Sequence, residues 1–182
     1  MGLRLFNTLT GEVEEFKPLV AGKVGIYVCG PTVQDRSHIG HARVYTAFDV
    51  VVRWLRAKGL EVRYVRNFTD VDDKIIKKAA ERGMTPHELS EANIALFIQE
   101  MGELGIARPD VEPKVTEHIP EIVGITRELV ERQAAYASGG DVYFEVRKYP
   151  PYGRLSKRKL DDLQAIFANR AMVFSTMPGH AS

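Results

Sequence analysis

Apolar side chains change period several times along this chain, and each change marks a predicted element. Val24-Gly25-Ile26-Tyr27-Val28 is a continuous apolar run of strand length. Residues 3–7 read as an earlier short strand, across a connection containing Gly and Pro. Over residues 40–58 the apolar positions Val44, Ala47/Phe48, Val51 and Leu55 recur every three to four residues, which is helical spacing, and Gly59 is a fitting stop. Val62-Arg63-Tyr64-Val65-Arg66 returns to strand composition. Strand, helix and strand within about forty residues predict a crossover unit and a parallel sheet. Ligands on such sheets sit beyond the carboxyl ends of the strands, so residues 29–41 and 67–73 are expected to share one pocket.

Beyond this unit, Thr85-Pro86-His87-Glu88 is a capping box with proline at the first helical position, opening a helix to about Leu104. A proline-rich break follows at residues 108–113. Residues 119–132 read as another helix, and residues 142–146 as a short strand set off by Gly139-Gly140. There is no internal repeat and no low-complexity segment.

Composition narrows the function classes. The chain has 182 residues, 45% of them hydrophobic and 27% charged, as in a soluble globular protein. A net charge of +1 supplies no global attraction to nucleic acid, which leaves only a local patch for that role. The single cysteine, Cys29, excludes an internal disulfide and fits a reducing compartment. No apolar run reaches the roughly 18 residues of a membrane span. Met1-Gly2-Leu3-Arg4-Leu5-Phe6 lacks a signal-peptide core, so the cytoplasm is the expected location.

Candidate chemistry gathers at Pro31-Thr32-Val33-Gln34-Asp35-Arg36-Ser37-His38-Ile39-Gly40-His41, between the first strand of the crossover and its helix. A helix start offers unpaired N–H groups and partial positive charge to phosphate. His38 and His41 add donors on the same turn, and Gly40 lacks the Cβ that would keep a base or phosphate off the backbone. Two readings are open: ATP binding with stabilisation of a reacting α-phosphate, or a capped surface helix with two incidental histidines. Cys29, by spacing alone, is a small buried hydrophobe. A zinc site needs three or four ligands, and His87, His118 and His180 show no ligand spacing. Thr69, Asp70, Asp72 and Asp73 read as capping and dipole partners for a following helix. Arg43 and Lys74 read as solvated cations, and Arg154-Leu155-Ser156-Lys157-Arg158 as a solvated basic loop rather than a phosphate loop.

Several stretches together resemble the cysteinyl-tRNA synthetases, class I aminoacyl-tRNA synthetases. They are Leu5-Phe6-Asn7-Thr8-Leu9-Thr10, Tyr27-Val28-Cys29-Gly30-Pro31-Thr32-Val33, His38-Ile39-Gly40-His41-Ala42-Arg43 and Phe48-Asp49-Val50. Further on come Tyr64-Val65-Arg66-Asn67-Phe68-Thr69-Asp70-Val71-Asp72-Asp73-Lys74-Ile75, Gly140-Asp141-Val142-Tyr143-Phe144 and Leu160-Asp161-Asp162-Leu163-Gln164-Ala165. The resemblance covers residues 3–165. The ligase that joins cysteine to a glucosaminyl-inositol in mycothiol synthesis shares much of the pattern and is the nearest competitor.

The resemblance implies an α/β fold: the first half of a Rossmann-like class I synthetase nucleotide-binding domain, a parallel sheet with flanking helices, plus part of the connective insertion. It places the ATP- and cysteine-binding half in residues 1–113, the partial insertion in 114–165 and an atypical tail in 166–182. It implies Mg-ATP activation of cysteine to cysteinyl-adenylate, then transfer to the 3′ end of tRNA-Cys. His38 and His41 match the catalytic motif. Pro31, Thr32, Ile39 and Gly40 complete the ATP contact. Cys29, Gly30 and Thr69 fall at the cysteine subsite, and Cys29 matches the first of four zinc ligands. Zinc favours soft sulfur, which would refuse serine. The other three ligands and the Lys-Met-Ser-Lys-Ser loop lie beyond the matched part of the family. Gln34 stands where the family usually has an aromatic. The change at Ile166 reads as a truncation or a shifted frame. A non-catalytic ATP-binding remnant is the rival from another class, and self-association or a complementing C-terminal fragment is the expected partnership.

Overall fold

The computed structural model describes residues 2–158 and 172–174. The predicted Leu160–Ala165 match and most of the tail lie outside the described residues. The chain divides into two compact units, residues 17–119 and a second that joins residues 1–16 to the chain from Pro120 onward.

The 17–119 unit is built on β3 (Lys23–Val28) and β4 (Glu61–Arg66), which pair in parallel from Lys23↔Glu61 to Val28↔Arg66. The connecting helix is α1 (Ile39–Ala57), so the predicted crossover is present with its ends displaced by one residue. α2 (Asp73–Glu81) starts at the N-cap Asp72, whose carboxylate accepts from Lys74 N at 2.9 Å. α3 (Pro86–Glu103) carries the predicted capping box between Thr85 and Glu88. Val24, Val28, Tyr45, Val52, Leu55, Val62, Phe68, Ile75, Leu89 and Phe97 form its core.

Two features of this unit depart from the sequence reading. The stripe whose spacing predicts α1 buries only Leu55; Tyr45 and Val52 are the other buried positions, and Val44, Ala47, Phe48 and Val51 are exposed. The helix is apolar on two faces, and spacing alone does not say which one packs. The proline-rich break is also part of the sheet. Residues 110–115 run beside β4, with Arg66 N donating to Val111 O at 3.1 Å and Phe68 N to Pro113 O at 2.9 Å. An edge position tolerates proline, because the missing N–H is not owed to a second neighbour.

The other unit holds the antiparallel hairpin of β1 (Arg4–Asn7) and β2 (Glu12–Glu15), then α4 (Ile119–Glu131) at its boundary. An antiparallel sheet follows, of β5 (Ala135–Ser138), β6 (Asp141–Phe144) and β7 (Met172–Phe174), in that order. β2 was not foreseen, because Glu12-Val13-Glu14-Glu15 has little strand composition. Residues 154–158 form an exposed turn, consistent with a solvated basic loop.

Candidate functional site at the ends of β3 and β4

The chain leaves β3 at Cys29 and does not begin α1 until Ile39, and the segment between is pinned at several points. Thr69 N donates to Pro31 O at 3.1 Å, and Val33 N donates to Thr69 O at 3.2 Å, so the two strand ends keep pairing in parallel past β3 and β4. The buried Asn93 amide donates to Val33 O at 2.9 Å. Arg36 grips Glu100 Oε1 with Nε and Nη2 at 3.1 and 2.8 Å, and Asp35 meets Lys78 and Arg82. Those partners come from α2 and α3, so both helices hold the segment at the strand ends.

At the start of α1 the two imidazoles form the cap themselves. His38 is the N-cap, and its Nδ1 accepts from Gly40 N at 3.1 Å. His41, at the third helical position, turns back so that its Nδ1 accepts from His38 N at 3.2 Å. Ser or Thr with Glu usually makes this reciprocal arrangement. A ring nitrogen that accepts carries no proton, so in each ring the N–H is at Nε2, on the side away from the backbone. The rings lie 4.1 Å apart between centroids. Burial, and then the nearby His38 charge, lower the pKa of His41, against a small opposing pull from Glu100. The neutral acceptor form is therefore favoured. The space beside Gly40, read from sequence as room for a ligand, is taken by the His38 ring: an added Cβ would come within 2.8 Å of Cε1. Glycine is needed there so that the cap ring can close.

His41 stacks on Tyr45 at 6.5 Å, one turn along α1. Burial pushes the Tyr45 phenol up to about 12, which keeps its proton in place. The hydroxyl donates to Cys29 O at 3.3 Å, and this contact joins the helix start to the strand end. Arg66, the last residue of β4, is fully buried with its guanidinium 4.8 Å from both the Tyr45 and Phe97 rings. It pairs at 2.5 Å with Glu112, whose side chain is 7% exposed.

Cys29 is exposed, which corrects the expectation of a small buried hydrophobe. Its thiol stands at the strand end next to the pinned turn. Gly30 is held by Asn67, whose Oδ1 accepts from Gly30 N at 2.8 Å. A Cβ at Gly30 would lie 1.4 Å from Asn67 O, so only glycine fits this crossing. Pro31 is buried, Thr32 and Thr69 are half-buried, and His38 and Ile39 are exposed. Asp70 is not a cap: it is buried and accepts from Thr116 N at 3.1 Å and from the Thr116 hydroxyl. Asp72 takes the capping role.

The structure thus brings Cys29, Gly30, Pro31, Thr32 and Thr69 together at the strand ends, and ties them through Tyr45 to His38, Ile39, Gly40 and His41. Sequence reasoning singled out neither Tyr45 nor Asn67. A polar side chain immediately after a strand, opposite a glycine at the end of its partner, is the signal that would have found Asn67. Among the described residues no group of three or more His, Cys, Asp or Glu side chains is placed to hold a metal ion, so Cys29 there has no companions for a zinc centre. A cavity of about 900 Å³ in the other unit is lined by Leu9, Tyr149, Tyr152 and residues 153–156, and by none of the site residues above. Among the described residues no helix is long and apolar enough to cross a membrane.

Residues 15–174 match the family described as the class I (C) tRNA synthetase catalytic domain. The cysteine–tRNA ligase of Anaeromyxobacter sp. (strain K) is 60% identical over 166 residues, which is 91% of this chain and 34% of that protein. That of Thermococcus kodakarensis is 54% identical over 163 residues, 90% of this chain and 34% of that protein. The chain therefore spans about a third of the length of the curated relatives it matches. Among solved structures, Mycobacterium tuberculosis methionyl-tRNA synthetase bound to methionyl-adenylate matches at TM-score 0.57 and 23% identity, over 62% of this chain and 23% of that one. An Agrobacterium radiobacter K84 LeuRS in a ternary complex with tRNA and LeuAMS matches at TM-score 0.61 and 20% identity, over 82% of this chain and 23% of that one. At those identities the two structures speak to the fold alone, and it is the class I synthetase fold. The residue match over most of its length makes this chain a member of the class I (C) tRNA synthetase catalytic-domain family.

Proposed function

We propose that residues 17–119 form the ATP- and cysteine-binding half of a cysteine–tRNA ligase site. The observation that carries this reading is the histidine-capped start of α1, whose two Nε2–H groups point away from the backbone beside the joined ends of β3 and β4. In the reaction a cysteine carboxylate oxygen attacks the α-phosphorus of ATP and pyrophosphate leaves. His38 and His41 meet the phosphate charge with fixed donors, and the N-terminus of α1 adds its own N–H groups. Pro31, Thr32, Ile39 and Gly40 shape the approach to the nucleotide. Cys29, Gly30 and Thr69 lie where cysteine would sit. Magnesium enters with the nucleotide, and tRNA-Cys is the acceptor in the complete ligase. The named relatives, cysteine–tRNA ligases over most of this chain, support the substrate class.

Zinc fits the thiol chemistry of such a site, and Cys29 supplies one ligand. The described residues do not make the rest of the centre, so no step here runs through the metal. The same observation favours a second reading, an ATP-binding segment without ligase activity of its own.

The test is calorimetric titration of the 182-residue chain with Mg-ATP, on the wild type and on His41→Ala. Weak, magnesium-dependent binding is expected, reduced about tenfold by the substitution, as for loss of one good hydrogen bond to a charged group. Equal heats from both proteins would remove His41 from the ATP site. Cysteine-dependent exchange of pyrophosphate into ATP separates ligase chemistry from ATP binding alone.

A further inference from the structure

Asn67 is the first residue after β4, and its amide has a hydrogen-bond polarity that only one orientation satisfies. Oδ1 accepts from Gly30 N at 2.8 Å and from the Tyr27 hydroxyl at 2.8 Å. A backbone N–H can only donate, so the end of the amide facing Gly30 is the oxygen. The NH₂ end therefore faces Thr69, with Nδ2 at 3.3 Å from Oγ1. An amide NH₂ has nothing to accept with, so the Thr69 oxygen accepts from it. The proton of the Thr69 hydroxyl is left for another acceptor. The Thr69 backbone cannot turn away, because its N–H is spent on Pro31 O and its carbonyl on Val33 N.

We propose that Asn67 is a positioning residue that occupies one lone pair of the Thr69 oxygen and so aims the hydroxyl proton at a carboxyl oxygen of the bound amino acid, while clamping the Cys29–Gly30 turn. The proposal rests on the reading of this site as one that activates cysteine. A carboxylate only accepts, and an O–H donor to it forms one of the stronger classes of hydrogen bond. The same amide thus sets two things at once: where the residue after Cys29 sits, and which way the Thr69 hydroxyl points.

Asn67→Asp is the discriminating change. One carboxylate oxygen can still accept from Gly30 and Tyr27, but the other now accepts from Thr69 and turns its proton inward. The added charge also repels an anionic ligand, so the variant is compared in two backgrounds, wild type and Thr69→Val. The probe is a cysteinyl-sulfamoyl adenosine, which keeps the carboxyl oxygen as a carbonyl acceptor, titrated into the 182-residue chain. Thr69→Val is expected to weaken binding about tenfold, the value of one such hydrogen bond. Asn67→Asp should cost at least as much in the wild-type background and clearly less in the Thr69→Val background, because the hydroxyl it would turn is gone. An equal cost in both backgrounds overturns the proposal and leaves Asn67 a brace.

Hydrogen exchange at the Gly30 amide reads the clamp without ligand. Protection should persist in Asn67→Asp and fall in Asn67→Ala, and loss in Asn67→Asp would overturn the clamp. A wild-type chain with no affinity for the probe would overturn the cysteine-activation reading and the donor role together. Binding by the wild type with additive costs would sink the donor role alone.

Discussion

At the residue scale the site depends on which nitrogen of each imidazole holds the proton. Both Nδ1 atoms are committed as acceptors to the first turn of α1, and His41 in particular is shifted toward neutrality by burial. Protonating His41 removes the acceptor for His38 N, so the helix start weakens as the donor geometry changes. The folded pKa lies below the unfolded value of about 6.5, so between the two the unfolded chain binds more protons. Stability from this group is therefore complete above about pH 6.5 and is lost as pH falls toward the lower folded value. His41→Gln offers a clean comparison, since glutamine at the third helical position can still complete a capping box but does not titrate. Urea unfolding midpoints at mildly acidic and mildly alkaline pH should differ more in the wild type than in His41→Gln. The same difference in both proteins would show that His41 does not titrate against folding.

At the element scale the sheet is held at its far side by residues 110–115, where an ion pair on a buried arginine adds to the backbone hydrogen bonds. Arg66 packs against the Tyr45 and Phe97 rings, which meet each other edge to face, and is answered by Glu112, whose side chain is largely buried and is also met by Arg108. Removing one member of such a pair strands a charge in an apolar setting, which typically costs about 3–5 kcal/mol, whereas replacing both with apolar residues is often close to neutral. Glu112→Ala should thus lower the thermal midpoint sharply, and Arg66→Met with Glu112→Leu should recover most of the loss. A small effect of Glu112→Ala alone would mean that the guanidinium is reached by water. The crossover, the capping box at Thr85 and the helix start at His38 were legible in the sequence because each is written in consecutive residues. Residues 110–115 were not, since Pro113 and the preceding Pro109 hide an edge pairing that only β4 reveals. Asn67 and Tyr45 were hidden for a related reason: each acts on a residue on another element, with Gly30 37 positions from Asn67 and Cys29 16 from Tyr45. Local composition carries no trace of such partners.

At the scale of the whole molecule, the 17–119 unit presents apolar surface that its own elements do not cover. Val44, Phe48 and Val51 on α1 are 43%, 37% and 39% exposed, in a stripe spaced for packing. Among the described residues β4 is the one strand that pairs with β3, and Tyr27 on β3 is 65% exposed. An unpaired strand edge and an open apolar stripe both gain by meeting another surface, through hydrogen bonds in one case and loss of hydration in the other. In the relatives about two thirds of the protein lies outside the matched segment, which provides material to cover such a face. The isolated 182-residue chain should therefore self-associate on concentration and unfold over a broad urea range. Sedimentation velocity across a dilution series measures the first, and Phe48→Glu, which places a charge in the middle of the stripe, should shift the distribution toward monomer. Adding the remaining segment of a cysteine–tRNA ligase relative should do the same without any substitution, by occupying the face instead of spoiling it. A monodisperse monomer with one sharp unfolding transition at every concentration would mean that the stripe and the strand edge are stable in water as they stand.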